Sequence, residues 1–162
     1  MAKKKKYTVI DLFAGCGGLS LGLYQAGWKG LFAIEKNDFA FATLKANLID
    51  NKKHFAWPKW LPQTPHDINE ILNNYGAELL ALRGQVDLVA GGPPCQGFSN
   101  ANRQRRHLIN GSNELVKKYV DAIQQLQPRA FVMENVSMLR SDTHRFYEST
   151  MDNEEIEAYE NF

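Results

Sequence analysis

The feature that most restricts the fold of this chain is an alternation. Short apolar runs take turns with helical patterns along most of its length. Residues 7–12 (YTVIDL) are rich in strand formers and read as a buried strand. The glycine turn 13–18 (FAGCGG) follows, then a helix over 19–27 ended by Gly27. Residues 30–35 (GLFAIE) read as a second strand, and Asp38 is placed to cap a helix over 39–49. Three prolines within 51–68 exclude a central strand of any length, leaving room only for a short one ending near His66. Asp67 is placed to cap a helix over 69–82, and 86–92 (VDLVAGG) is a strand. A polar, basic loop covers 93–112. Over 113–127 an amphipathic helix puts Leu115, Tyr119, Ala122, Ile123 and Leu126 on one face, and Pro128 marks its end. The next strand is 129–134 (RAFVME). This order predicts an α/β fold, a mostly parallel sheet with helices on both faces. In such sheets ligands sit at the carboxyl ends of the strands, and every unusual motif of this chain falls at one of those ends.

A length of 162 residues with 44% hydrophobic content suits one globular domain. A net charge of +1 leaves any argument about nucleic acid to local charge. Cys16 and Cys95 have no CxxC partner and the four histidines are scattered, which argues against zinc, so no metal is expected. Free thiols in a reducing cytoplasm suit two lone cysteines best. Lys3 to Lys6 ahead of an apolar run resemble the start of an export signal, and 13-FAGC-16 faintly resembles a lipoprotein cleavage box. Asp11 interrupts that run, so the lysines are expected to be a solvated tail of residues 1–6. No run approaches the ~20 apolar residues of a membrane span.

Two sites are expected. Gly15, Gly17 and Gly18 lie between the first strand and first helix, where glycines let a backbone approach a ligand and aim helix N–H groups at it. Glu35 ends the second strand 20 residues after Gly15, a spacing that suits hydrogen bonds from ribose hydroxyls. Asp67 is a third acid near a third possible strand end. The plain alternative is a tight turn with helix-capping acids. NAD is a rival ligand, but Ser20 stands where GxGxxG would need its last glycine. At the second site, Pro93 and Pro94 preset the direction of the Cys95 thiol, and the glycines around it leave room for a flat ligand. A nearby helix N-terminus or cation would make thiolate available. The plain alternative is an inert buried cysteine, the usual fate of a free thiol. Glu134, ending the last strand, is expected to be partly desolvated, which would raise its pKa. Its plain alternative is a structural glutamate bonded to backbone.

At these residues the chain resembles the DNA (cytosine-5) methyltransferases. The matches are 11-DLFAGCGG-18, Glu35, 66-HDI-68, 91-GGPPCQGFS-99, Leu115 and 134-ENV-136, in the family's order. The resemblance implies a Rossmann-like S-adenosylmethionine-dependent methyltransferase fold, with a catalytic and cofactor-binding domain over 7–140. It implies S-adenosylmethionine as cofactor, with Phe13, Gly15, Cys16 and Gly18 along its methionine and adenosine. Glu35 would hold the ribose, Asp67 and Ile68 the adenine, and Gly92, Pro94 and Leu115 would complete the wall. Lys36 stands where some relatives place an aromatic residue on the adenine. The resemblance implies Cys95 as nucleophile and Glu134 as the group that binds the cytosine ring, in double-stranded DNA with that base flipped out. The loop residues Gln96, Ser99, Asn100, Arg103, Arg105 and Arg106 would contact DNA; a solvated surface loop is the alternative.

Measured against that family, the last strands, the Gln-x-Arg-x-Arg segment and the target-recognition region are missing from the 162 residues. The last strand is therefore expected as a sheet edge. Residues 141–162 carry seven acids and little apolar periodicity, an acidic tail or the start of a continuing helix. Three readings follow: a catalytic subunit completed by a second polypeptide, a truncated or inactive fragment, or a cofactor-binding protein without catalysis. An RNA cytosine-5 methyltransferase relative is a further alternative.

Overall fold

The computed structural model describes residues 6–94 and 109–135. Four parallel strands form one sheet: β1 (Thr8–Leu12), β2 (Lys29–Ile34), β3 (Leu88–Gly91) and β4 (Ala130–Met133), in the order β2-β1-β3-β4. Leu12 pairs with Ile34 on one side and Gly91 on the other, and Gly91 pairs with Met133. The four carboxyl ends are therefore flush along one rim. The expected sheet and its exposed last strand are both present.

The strands form because their side chains are apolar on both faces, as a parallel sheet covered on both sides requires. Alternate residues go to opposite sides. Ile10, Leu12, Phe32, Ile34 and Val89 pack with α3 (Ile68–Asn74), α4 (Gly76–Ala81) and α5 (Ile109–Leu126) through Ile71, Leu79, Tyr119 and Leu126. On the other side Val9, Leu88 and Ala90 meet Leu23 of α1 (Gly18–Gln25) and Trp28, while Ala33 meets Phe41 and Leu44 of α2 (Asp38–Leu44). β4 is the exception. Phe131 is 61% and Val132 50% exposed, and no described strand pairs with its outer edge.

β1 and β3 approach closely at Gly91. A Cβ there would overlap the Leu12 carbonyl and crowd the Tyr119 ring. Tyr119 is buried, its hydroxyl donates to the Val132 carbonyl at 2.9 Å, and Val89 O lies 3.2 Å away. Burial, and then the charge of Asp11, push its pKa up to about 12. α5 is thus fixed to the β3–β4 seam.

Several expected boundaries shift. Asn37, not Asp38, caps α2: its backbone is extended and its side chain accepts from Ala40 N at 3.0 Å, whereas Asp38 is already helical. That helix ends as α at Leu44 and widens into a π-helical turn, Lys45–Asn51, in which the neighbours Leu48 and Ile49 are both buried. Asp67 caps α3 as expected, accepting from Asn69 N, but the helix expected over 69–82 breaks at Tyr75, and α4 starts at Gly76. α5 begins at Ile109, four residues before its expected start. No strand forms near His66, because Pro62 and Pro65 remove donors that a ladder needs. Instead Phe55 makes an isolated parallel bridge to Gly30, and His66 N donates to Glu35 O at 2.9 Å.

His54 is buried with neither ring nitrogen hydrogen-bonded, edge-on to Tyr24 and Phe55 at centroid distances of 5.5 and 4.6 Å. Burial, then the charge of Lys29, lower its pKa to about 4.

Two outcomes are expected. Gly91→Ala should lower stability by about 1–3 kcal/mol or more, since the overlapping atom is backbone and cannot yield; urea denaturation reads this. His54 takes a proton more readily unfolded than folded. Its contribution is therefore complete above about pH 6.5 and lost as pH falls toward 4. His54→Leu should flatten that part of the stability–pH curve, and an unchanged slope would count against the assignment.

Candidate functional site

The site is built from the loops that follow the strands. After β1 the chain turns through Phe13, Gly15 and Gly17, all at positive φ, before α1 starts. Gly17 is doubly constrained, since a Cβ there would also meet Leu48 Cδ1 at 2.7 Å. Beneath the turn, buried Asp11 accepts a 2.5 Å hydrogen bond from Ser20 Oγ of α1, and its other oxygen has no partner. Burial pushes the Asp11 carboxyl up to about 6.

Glu35 joins this turn to the next. Its Oε2 accepts from Gly15 N at 2.8 Å and its Oε1 from Asn37 N at 2.7 Å. The carboxylate is held by two loops, yet each oxygen keeps a lone pair for a ligand hydroxyl. Next to it is a cavity of about 310 Å³. Phe13, Ile34, Ile68 and Leu115 give it apolar walls, Glu35 and Asp67 supply acids, and Gly92 and Pro94 close one side. Asp67 Oδ1 is committed to Asn69, while Oδ2 lies 3.8 Å from Lys36 Nζ.

The structure thus brings together Phe13, Glu35, Lys36, Asp67, Ile68, Gly92, Pro94 and Leu115 around one cavity. Gly15 joins them through Glu35, and Gly18 begins α1; neither they nor the exposed Cys16 line the cavity. Three lining residues were missed. Ile34 and Asn37 flank the Glu35–Lys36 pair, and His66 precedes Asp67, so adjacency was the available signal. Asp11 interrupts an apolar run and opens the 11-DLFAGCGG-18 match, and neither observation names its partner; an acid inside a buried strand is itself a sign of a buried polar contact.

The carboxyl ends of β3 and β4 are fastened side by side. Glu134 N donates to Gly91 O at 2.8 Å, and Asn135 Nδ2 donates to Pro93 O at 3.2 Å. A Cβ on Gly92 would stand 3.0 Å from Glu134 Oε2, so the missing side chain gives that carboxylate its place. Glu134 is exposed, which corrects the expected shelter: with β4 at the rim of the sheet, the described residues do not enclose it. Cys95, Gln96, Ser99, Asn100, Arg103, Arg105 and Arg106 lie outside the described residues. No cluster of metal-binding side chains occurs among the described residues, and no described helix is long and apolar enough to cross a membrane.

Residues 7–161 match the C-5 cytosine-specific DNA methylase family, and the chain belongs to it. It is 38% identical over 136 residues to the type II methyltransferase M.PspPI of Psychrobacter, covering 83% of this chain and 28% of that protein. It is 36% identical over 156 residues to M.XorII of Xanthomonas oryzae, covering 94% and 32%. Mouse DNA (cytosine-5)-methyltransferase 1 is 36% identical over 136 residues, covering 83% and 8%. Among solved structures, a prophage-encoded DNA modification methyltransferase of Escherichia coli matches with a TM-score of 0.64 and 28% identity, covering 86% of this chain and 34% of that one. The chain spans about a third or less of the length of each of these proteins. The fold is that of the S-adenosylmethionine-dependent methyltransferases, here over part of its extent.

Glu35→Ala removes both the cavity acid and the brace between two loops. S-adenosylmethionine affinity, measured by calorimetry, should fall about tenfold or more, as expected for a lost charged hydrogen bond. An unchanged affinity would show that Glu35 does not hold the ligand.

Proposed function

We propose that this chain is the catalytic and cofactor-binding part of a DNA (cytosine-5) methyltransferase. It moves a methyl group from S-adenosylmethionine to carbon 5 of cytosine. One observation carries the reading. The cavity, the Gly92–Pro94 segment that leads into Cys95, and the Glu134 carboxylate meet at one rim of the sheet.

The cavity suits an adenosyl group. Apolar walls at Phe13, Ile34 and Leu115 accept a flat ring, and the acids suit hydroxyl and amine donors. Glu35 would take the ribose, and Asp67 Oδ2 the adenine once Lys36 yields that oxygen. The bound cofactor supplies an electrophilic methyl group on sulfur. Cys95, one peptide bond beyond a cavity wall residue, adds as thiolate to carbon 6 of the base, making carbon 5 nucleophilic. Glu134 bonds the ring nitrogen at position 3 and stabilises the charge that develops. After methyl transfer a base removes the carbon 5 proton, and the carbon–sulfur bond breaks to return the Cys95 thiolate.

A stacked cytosine is out of reach, so the base is flipped from double-stranded DNA at a cost of a few kcal/mol. Gln96, Ser99, Asn100, Arg103, Arg105 and Arg106 would contact that DNA. The relatives extend well beyond the stretch matched here, and the bare β4 edge suits completion by further polypeptide. A second chain carrying the target-recognition region is the proposed partner, in a type II modification system in the cytoplasm.

Cys95→Ser should abolish covalent trapping on duplex DNA containing 5-fluorocytosine, in whichever assembly traps with the native residue. Trapping that survives the change would sink the nucleophile assignment.

A further inference from the structure

The end of the sheet away from the cavity carries a second cluster. There the strands begin: Tyr7 precedes β1, and its carbonyl accepts from Lys29 N of β2 at 2.8 Å. Lys29 Nζ reaches the Lys53 carbonyl at 2.9 Å. Lys6 is close enough to Lys29 to add to the lowering of its pKa, behind the larger effect of burial. Lys52 Nζ sits 5.6 Å over the Tyr24 ring, and the Tyr7 and Trp28 rings are 5.4 Å apart. Lys6, Lys29, Lys52 and Lys53 therefore share one surface with three aromatic rings, of which Tyr7 is 51% and Tyr24 38% exposed.

None of these four lysines has a carboxylate within ion-pair distance among the described residues. The acids nearest in sequence or strand position are engaged elsewhere: Asp50 with Lys45, and Asp87 with Thr8 and Arg129. The sequence adds Lys3, Lys4 and Lys5 directly before Lys6. In a chain whose net charge is only +1, so uneven a distribution marks a surface that meets an anion. Lysines gathered on one surface, Lys6 and Lys52 with Lys53 next in the chain and Lys29 partly buried behind them, suit a phosphodiester backbone, whose charges recur every few ångströms. A membrane surface fits less well: the exposed apolar groups beside the lysines are Tyr7, Tyr24 and, one turn before Tyr24 on α1, Leu21, too few to enter lipid.

We propose that this lysine–aromatic surface is a second, sequence-independent contact for double-stranded DNA, at the end of the sheet opposite the cofactor cavity. β1 has five residues at about 3.3 Å each, so roughly 15 Å of protein separates the two ends. The cavity and the lysines therefore offer two separate places for DNA. The surface holds a separate stretch of DNA and keeps the protein near its substrate between encounters. The contact with duplex DNA stands without the methyl-transfer reading; that this DNA is also the substrate rests on that reading.

The test is binding of an A·T-only duplex of about 20 base pairs, which offers no cytosine to flip, at about 50–200 mM salt. The variant is Lys6→Gln with Lys52→Gln and Lys53→Asn, asparagine being chosen because Lys53 has φ 51. The comparison variant makes the same charge change elsewhere: Lys45→Gln, Lys59→Gln and Lys118→Gln. The surface variant should bind at least about tenfold more weakly, with a log–log salt slope flatter by about 2.7, the release expected for three phosphates. Its S-adenosylmethionine affinity should equal that of the unaltered chain. Equal losses in both variants, or none in either, would overturn the proposal. So would a surface variant that keeps its DNA binding but no longer binds phosphatidylserine vesicles. Failure of the unaltered chain to bind S-adenosylmethionine would count against the methyl-transfer reading and leave the DNA comparison intact.

Discussion

The Glu35 carboxylate is the interaction on which the working end of the molecule depends. It accepts from Gly15 N in the loop after β1 and from Asn37 N in the loop after β2. Each loop alone has little to hold it: the first is mostly small residues at positive φ, and the second leads directly into an exposed helix start. Braced together, they give the cavity two of its walls. The charge that braces them is the charge a ligand hydroxyl would meet, so the geometry is set before any ligand arrives. That preorganisation spares binding the cost of ordering the loops.

Much of the fold was legible because its signals are redundant. In β1, β2 and β3 apolar residues occupy both faces, which a covered parallel strand demands, and the turns between them carry glycine or a capping acid. Failures came where two local solutions were equally good. Asn37 and Asp38 are both good caps, and only the backbone at Asn37, with ψ near 121, decides between them. The break at Tyr75 and the π-helical turn after Leu44 are settled by packing against the sheet, not by propensity. The cavity was legible almost residue by residue because a motif carries each acid, Glu35 just after β2 and Asp67 at the cap of α3. The Asp11–Ser20 contact was not, since its partners are nine residues apart on different elements. The exposure of Glu134 was hidden for another reason: burial belongs to whatever packs beside β4, and a residue's own neighbours in sequence do not reveal that.

The sheet is also polar in its chemistry. Its carboxyl rim holds Glu35, Asp67 and Glu134 beside Lys36, while its amino rim holds Lys6, Lys29, Lys52 and Lys53, with Asp87 there bonded to Thr8 and Arg129. A parallel sheet makes this separation natural, since all strand ends of one kind fall on one side. Carboxylates at the first rim suit hydroxyl and amine donors, and ammonium groups at the second suit phosphate. His54 lies under the second rim without a hydrogen-bond partner, and Lys29 adds to the cost of charging it.

β4 leaves Phe131 and Val132 open on successive residues, one on each face, beside an edge that no described strand occupies. Surface of that kind is what chaperones bind and proteases exploit when a polypeptide waits for its complement. The consequence concerns quantity in the cell. Whatever covers β4, from the same polypeptide or another, sets how long these residues survive, so their abundance should follow the supply of that cover and not only the rate at which they are made.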